Sequence, residues 1–317
     1  MTFNCAICGA ADCRTYTVRE MMYGTAEPFQ YVECLHCSCL QLADTPTDLA
    51  KYYPTSYYSY LPRRPAPWPK RILVRAVCLA ATQRTPQPML RLLLNGRCSK
   101  LCLIGLCAPH PDSRILDVGC GAGHLISLMR ESGSHNVFGL DLYLPRQIHG
   151  PASRTPIFRQ SLEEHQGNYN LIMFHHSFEH VNDPLRTLLS ARRLLCSGGT
   201  CLIRMPTTSS WAWRQYRESW CQIDAPRHTY LHSVESVRIL ASRAGFKLDR
   251  VIYDSTALQF WGSERYAKRR SLLESLDPTG RPLEYSPGRL AHFRRQARKL
   301  NDRQNGDQVA FYLSTIA

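Results

Sequence analysis

From residue 114 onward the chain alternates short apolar runs with segments whose apolar residues recur three to four positions apart. The runs 114–118, 136–141, 156–159, 169–174 and 199–205 are short and apolar and predict strands. Segments 123–132, 184–196 and 233–244 fit helices, the last opening at Ser233 and Glu235–Ser236 and stopping before Gly245. Two more strand patterns, 247–253 and 308–314, flank a basic, mostly helical insertion at 256–303. Strand and helix in alternation predict an α/β domain built on a parallel sheet.

Upstream the pattern changes. Residues 1–40 are rich in cysteine and 51–60 in tyrosine, whereas prolines at 62, 65, 67, 69, 86, 88 and 109 punctuate apolar and basic runs. The chain therefore divides into a small module at 1–60, a basic linker with two short helices at 61–110, and the α/β domain at 111–317. At 317 residues there is enough chain for one such core plus appendages.

Net charge is +14, and it is uneven: residues 61–110 hold nine Lys/Arg and no acid, and 264–303 hold eleven against five. The remainder is near neutral. This favours local contact with an anionic substrate or surface over a uniformly basic nucleic-acid binder. Arg71, Arg75 and Arg91 with their apolar neighbours suit peripheral seating on an anionic membrane, solvated helix faces being the alternative. No run of about eighteen uncharged apolar residues is present, and Cys5 and Cys8 arrive before a signal-peptide core can form, so the expected address is the cytoplasm.

Four of the fourteen cysteines form two tight pairs, Cys5-x-x-Cys8 and Cys34-x-x-Cys37, twenty-five residues apart. Each pair can place two thiolates on one turn, and two turns complete a tetrahedral Zn2+ site. Four protein ligands leave no open position for water, so such a metal is structural. A redox role for either pair is the alternative reading. Cys13, His36 and Cys39 lie nearby as bystanders.

The segment Ile-Leu-Asp-Val-Gly-Cys-Gly-Ala-Gly at 115–123 leaves a strand and enters a helix. Its glycines at 119, 121 and 123 let backbone approach a ligand that any Cβ would block. The spacing is Gly-x-Gly-x-Gly with His124 next, which departs from the dinucleotide fingerprint. Asp117, in the strand before the loop, is a poor neighbour for phosphate and a good one for an ammonium group. Asp141 ends the next strand, where a carboxylate can accept from two ribose hydroxyls. An adenosine with a cationic amino-acid tail satisfies both acids; the bland alternative is that they are turn and strand-end residues of another α/β fold.

With these residues in place, 114–205 resembles a class I S-adenosylmethionine-dependent methyltransferase. Phe178-Glu-His-Val-Asn-Asp-Pro is similar to the Glu-His-Val-x-Asp-Pro of ubiquinone-type and glycan-type members, and Leu195-Cys-Ser-Gly-Gly-Thr-Cys-Leu-Ile to their turn into the fifth strand. The resemblance implies a Rossmann-like seven-stranded sheet, mostly parallel with the last strand antiparallel. It implies cofactor contacts from Asp117, Gly119, Cys120, Gly121, Gly123, Asp141 and Leu142, with Ser161 and Leu162 at the adenine edge and His175 touching the cofactor. Sugar-modifying relatives carry an N-terminal zinc ribbon followed by a tyrosine stretch like Tyr52, Tyr53, Tyr57 and Tyr58, which caps the site or only docks the ribbon.

Methyl transfer to oxygen needs a proton acceptor, and the candidates are His176, His180 and His228, with His176 first and Glu179 cast as fixing the loop. Each histidine has a purely structural hydrogen-bonding role as its alternative. Trp211, Trp213, Trp220 and Tyr230 surround Asp224, Arg227 and His228, a mixture suited to a sugar or to a plain docking surface. The expected activity is O-methylation of a sugar or glycan precursor. The alternatives are O-methylation of a quinone or phenol, and a non-catalytic zinc-ribbon binding protein on the same fold.

Overall fold

The computed structural model describes residues 3–54, 59, 99–107, 110, 112–131, 133–144, 148–150, 153–274, 276–277, 280 and 282–316. Most of the basic linker 61–110, with Arg71, Arg75 and Arg91, and also Tyr57 and Tyr58, lie outside the described residues.

Three strands open the chain: β1 (Cys13–Arg19), β2 (Pro28–Cys34) and β3 (Leu40–Leu42). After helix α1 (Ser99–Gly105) come β4 (Ile115–Val118), α2 (His124–Glu131), β5 (Val137–Leu140), β6 (Ile148–Gly150), β7 (Ser153–Phe158) and β8 (Tyr169–His175). There follow α3 (Pro184–Leu194), β9 (Leu195–Pro206), α4 (Trp211–Tyr216), β10 (Tyr230–Leu231), α5 (Val234–Arg243) and β11 (Phe246–Tyr253). Helices α6 (Leu258–Ala267) and α7 (Pro287–Asp302) and strand β12 (Gln308–Thr315) complete it.

The main sheet runs β11-β12-β9-β8-β4-β5-β7-β6. Strands β5, β4, β8 and β9 are parallel, β7 pairs parallel with β5, and β12 is antiparallel to both its neighbours. Setting aside the short edge strand β6, this is the expected seven-stranded sheet with its last strand reversed. Helices pack on both faces, so the central strands are buried throughout: Ile115, Leu116, Ile172, Met173 and Phe174 are all at most 1% exposed. The order places β4 between β5 and β8, with crossovers leaving in opposite directions, the switch point outside whose carboxyl ends open α/β sheets bind their ligands.

Local chemistry sets the helix ends. Asp183 and Ser233 accept the N–H groups of Arg186 and Ser236 at the starts of α3 and α5, and Pro184 occupies the first turn of α3. Helices α6 and α7 lie within the segment 256–303. Phe260 of α6 stacks on Phe293 of α7, while Arg294, Arg295, Arg298 and Lys299 face outward.

The N-terminal module is not freestanding. Strand β3 pairs with β10, so β1-β2-β3-β10 forms one antiparallel sheet across the two parts of the chain. Tyr16, Tyr31 and Leu40 share a core with Trp213, Trp220, Ile223 and Leu231. Arg227, fully buried, binds Glu20 of the module at 2.7 Å, Asp224 at 2.6 Å and the Tyr52 carbonyl at 3.3 Å. Among the described residues no helix is long and apolar enough to cross a membrane.

Candidate active site and a four-thiol cluster

The glycine loop sits at the carboxyl end of β4. Gly119, Gly121 and Gly123 all have positive φ, and a Cβ on Gly119 would stand 2.3 Å from the Ser177 Cβ, which the Ser177 hydroxyl fixes by donating to the Val118 carbonyl at 2.5 Å. A Cβ on Gly121 would meet the Ser59 carbonyl at 2.6 Å, and the Ala122 N–H donates to that same carbonyl. Residue 59, at the end of the tyrosine-rich stretch, therefore lies directly on the loop.

Asp141 organises the loop. One carboxylate oxygen accepts from the Gly121 N–H at 2.9 Å and the other from the Tyr143 N–H at 3.0 Å. Each oxygen keeps a further lone pair for a ligand hydroxyl. Burial raises its pKa against these backbone bonds. Asp117 is 2% exposed, its Oδ1 has no hydrogen-bond partner, and burial together with the neighbouring Asp141 pushes its carboxyl up to about 8. An orphaned buried carboxylate oxygen beside a glycine cradle fits a cationic ammonium group, which would relieve both the desolvation and the repulsion. The residues present thus fit S-adenosylmethionine.

The remaining cofactor candidates are placed less alike. Leu142 is half exposed beyond Asp141, and Ser161 accepts the Glu164 N–H in a turn. The Leu162 side chain joins the core, which leaves only its backbone for a ligand. The Cys120 thiol packs against Gly139 of β5 and donates to the Gly121 carbonyl at 3.5 Å. His175 accepts from Arg204 at 3.3 Å at the end of β8.

His176 follows with φ at 56°. A guanidinium can only donate, so the contact from Arg204 makes His176 Nε2 an acceptor and leaves its proton on Nδ1, which donates to Glu179 Oε1 at 3.2 Å. Burial and then Arg204 hold its pKa well below the usual range. Both nitrogens are thus engaged, and His176 orients Glu179. Arg204 is itself anchored by Asp254 at 2.6 Å.

Glu179 is fully buried, its Oε2 has no hydrogen-bond partner, and burial pushes its carboxyl up to about 8. His228 donates from Nδ1 to the Gln222 carbonyl at 2.8 Å, which directs the Nε2 lone pair to within 3.9 Å of both Glu179 and Asp224. His180 donates from Nδ1 to the Arg227 carbonyl at 2.8 Å, with the Tyr53 hydroxyl 3.1 Å from the same nitrogen. The His180 and His228 rings meet edge to face, 4.7 Å between centroids. Burial lowers both histidines, His228 to about 3. Tyr53 also stacks on Tyr143, beside Asp141, and so bridges this cluster and the loop.

The structure therefore brings His180 and His228 together with Glu179 and Tyr53, both singled out in the sequence for looser roles, and adds Arg204, which the sequence did not mark. The Glu-His pair was the available signal for Glu179. The unpartnered state of its Oε2 was not. The Trp-rich loop departs from the expectation of a sugar-facing surface. Trp213 and Trp220 are buried under the N-terminal module, their Nε1 groups donating to Glu33 and Asp307, because their area serves better in the shared core. Arg227 is likewise taken up by its buried ion pairs.

Cys5, Cys8, Cys34 and Cys37 offer four sulfurs within 4.8 Å of one another. Cys5 and Cys37 are 3.6 Å apart, Cys8 and Cys34 3.5 Å, and none is in a disulfide. Two like turns present them: Gly9 N–H to Cys5 O and Ser38 N–H to Cys34 O at 2.8 Å, then Cys5 N–H to Ala10 O and Cys34 N–H to Cys39 O at 3.0 Å. Gln41 donates to Cys5 Sγ at 3.1 Å, a bond that favours thiolate. The arrangement is compatible with one tetrahedral thiolate-bound ion.

Comparison with known proteins agrees with the geometry. Residues 80–251, more than half of the chain, match the family described as Methyltransferase domain. The chain is 26% identical over 197 residues to the tRNA U34 carboxymethyltransferase of Pseudomonas paraeruginosa, and 27% over 194 residues to that of Alcanivorax borkumensis. The alignments cover 55% and 54% of this chain and span 58% of the length of each relative. Among solved structures, the S-adenosylmethionine-dependent methyltransferase of Mesorhizobium loti aligns with a TM-score of 0.44 at 16% identity, covering 69% of this chain and 99% of that one. Sheet order, glycine loop and family match converge, and the chain belongs to the methyltransferase domain family.

Proposed function

We propose that the protein transfers a methyl group from S-adenosylmethionine to a hydroxyl oxygen of a sugar or glycan precursor. The observation that carries this reading is the buried polar cluster beside the cofactor loop: Glu179 with an unpartnered oxygen, His228 with an open Nε2, and Tyr53 and His180 alongside. Such groups match the several hydroxyls of a sugar and are costly to bury against a plain aromatic ring. When bound, the cofactor supplies a methyl group on a good leaving group, so alignment and exclusion of water do most of the work. Asp117 would hold the ammonium group and Asp141 the ribose. Glu179, oriented by His176 and Arg204, would take the acceptor's proton, and His228 would align the attacking oxygen. The four thiolates would hold Zn2+ as a structural ion.

A second reading, an acceptor within RNA, is supported by the names of the relatives and by the exposed arginines of α7. Transfer of a labelled methyl group by the purified protein separates these. Counts in nucleotide-linked or lipid-linked saccharides, absent from phenols and from transfer RNA, are expected. Counts confined to RNA or to phenols would overturn the sugar assignment, and failure to bind the cofactor would overturn the activity.

A further inference from the structure

The Glu179, His180 and His228 cluster has a property that a simple proton relay does not require. Ligand atoms of all three residues lie within 4.8 Å of one another, and His228 Nε2 is 3.9 Å from Glu179 Oε1. Two ligands on one ion stand no further apart than their two bonds end to end, roughly 4.2 Å for Zn2+ with nitrogen and oxygen. The measured pair is within that limit.

The surroundings are also those of metal ligands. A ligating imidazole characteristically gives its other N–H to a carbonyl, which fixes the tautomer and aims the free lone pair. Both rings do this, His228 to the Gln222 carbonyl and His180 to the Arg227 carbonyl, each at 2.8 Å. A ligating carboxylate is itself hydrogen-bonded on one side, and Glu179 Oε1 accepts from His176. Its other oxygen, fully buried, has no partner. Arg204 is bonded to Asp254 and His176, and Arg227 to Glu20 and Asp224, so neither guanidinium fills that oxygen.

We propose that Glu179, His180 and His228 form a second metal site, binding one divalent transition-metal ion through two imidazoles and a carboxylate and leaving positions open for an oxygen of the acceptor. Imidazole and carboxylate donors with open positions suit Zn2+, Fe2+ or Ni2+, and they differ in kind from the closed four-sulfur set at the N-terminus. The inference rests on the same cluster as the proposed methyl transfer but not on the identity of the acceptor. With an ion present Glu179 would serve as a ligand and not as the base; coordination would lower the pKa of the acceptor hydroxyl, whose proton would leave to solvent as the oxygen takes the methyl group.

The test is metal content of the full-length protein, dialysed against excess Zn2+, desalted and measured per chain by elemental analysis. Two equivalents are expected in the wild type and one in Glu179→Gln and in His228→Gln. One equivalent in the wild type, or two retained in both variants, would overturn the site. Should the variants fail to fold, X-ray absorption of wild-type protein with Ni2+ as the second equivalent decides: imidazole scattering without sulfur is expected, and a sulfur shell overturns it. Cofactor binding measured on the same samples reports separately on the methyltransferase reading.

Discussion

Asp117 and Arg227 show how burial turns an ordinary charge into a device. The Asp117 carboxyl is raised from 3.8 to about 8, so the fold favours the protonated form. Its contribution to stability is full below about pH 4 and is lost as pH rises toward 8, because the unfolded chain ionises first. A bound ammonium group reverses that preference. Cofactor binding at pH 7 is therefore expected to release roughly one proton, read by calorimetry in buffers of different ionisation enthalpy. Asp117→Asn should abolish the release; an unchanged release would place the proton elsewhere. Arg227 carries the opposite lesson. Burial pushes the Asp224 carboxyl up, and the guanidinium outweighs it. Arg227→Met leaves Glu20 and Asp224 buried without a cation and should cost about 3–5 kcal/mol in denaturant unfolding. A change below about 1 kcal/mol would mean that solvent reaches the site.

At the level of elements, the β4 loop and the turn after β8 are built against each other. The positive φ of Gly119 and the 2.3 Å approach of a Cβ to Ser177 together exclude a side chain. Gly119→Ala is expected to weaken cofactor binding at least tenfold and to lower stability by roughly 2 kcal/mol. Adding Ser177→Gly, which removes the opposing carbon, should return part of both losses. No recovery would show that the backbone conformation alone is responsible. The sequence marks this loop plainly, since three glycines at alternate positions after an apolar strand have few other uses. It marks the turn holding Glu179 and His180 as a motif but not its chemistry, which depends on the Arg227 carbonyl, more than forty residues away, bonded to His180.

On the scale of the whole molecule, the thiol cluster and the active site belong to one structure. No sulfur of the four-thiol set is bonded to the glycine loop, yet β3 continues into β10 and Tyr53 reaches His180 from the module's exit. Cys34→Ser, which removes one sulfur of the four-thiol set, should release the N-terminal strands, lower the midpoint of thermal unfolding, and reduce methyl transfer by more than tenfold. Full activity in that variant would show the module to be a passenger.

The sequence by itself determined the sheet, the donor loop and the thiol pairs. Each is a local signal: apolar periodicity, glycines where no Cβ fits, and cysteines two residues apart that must share a turn. The tertiary structure alone decided the rest. Which histidine keeps a free lone pair follows from the group bonded to its other nitrogen, and for His176, His180 and His228 that group lies on another segment or across the turn. The tryptophans near 213 looked suited to a ligand because composition is blind to direction, and packing turned two of them into the core. Glu179 gained its importance from what is missing around it, which only three-dimensional proximity can reveal.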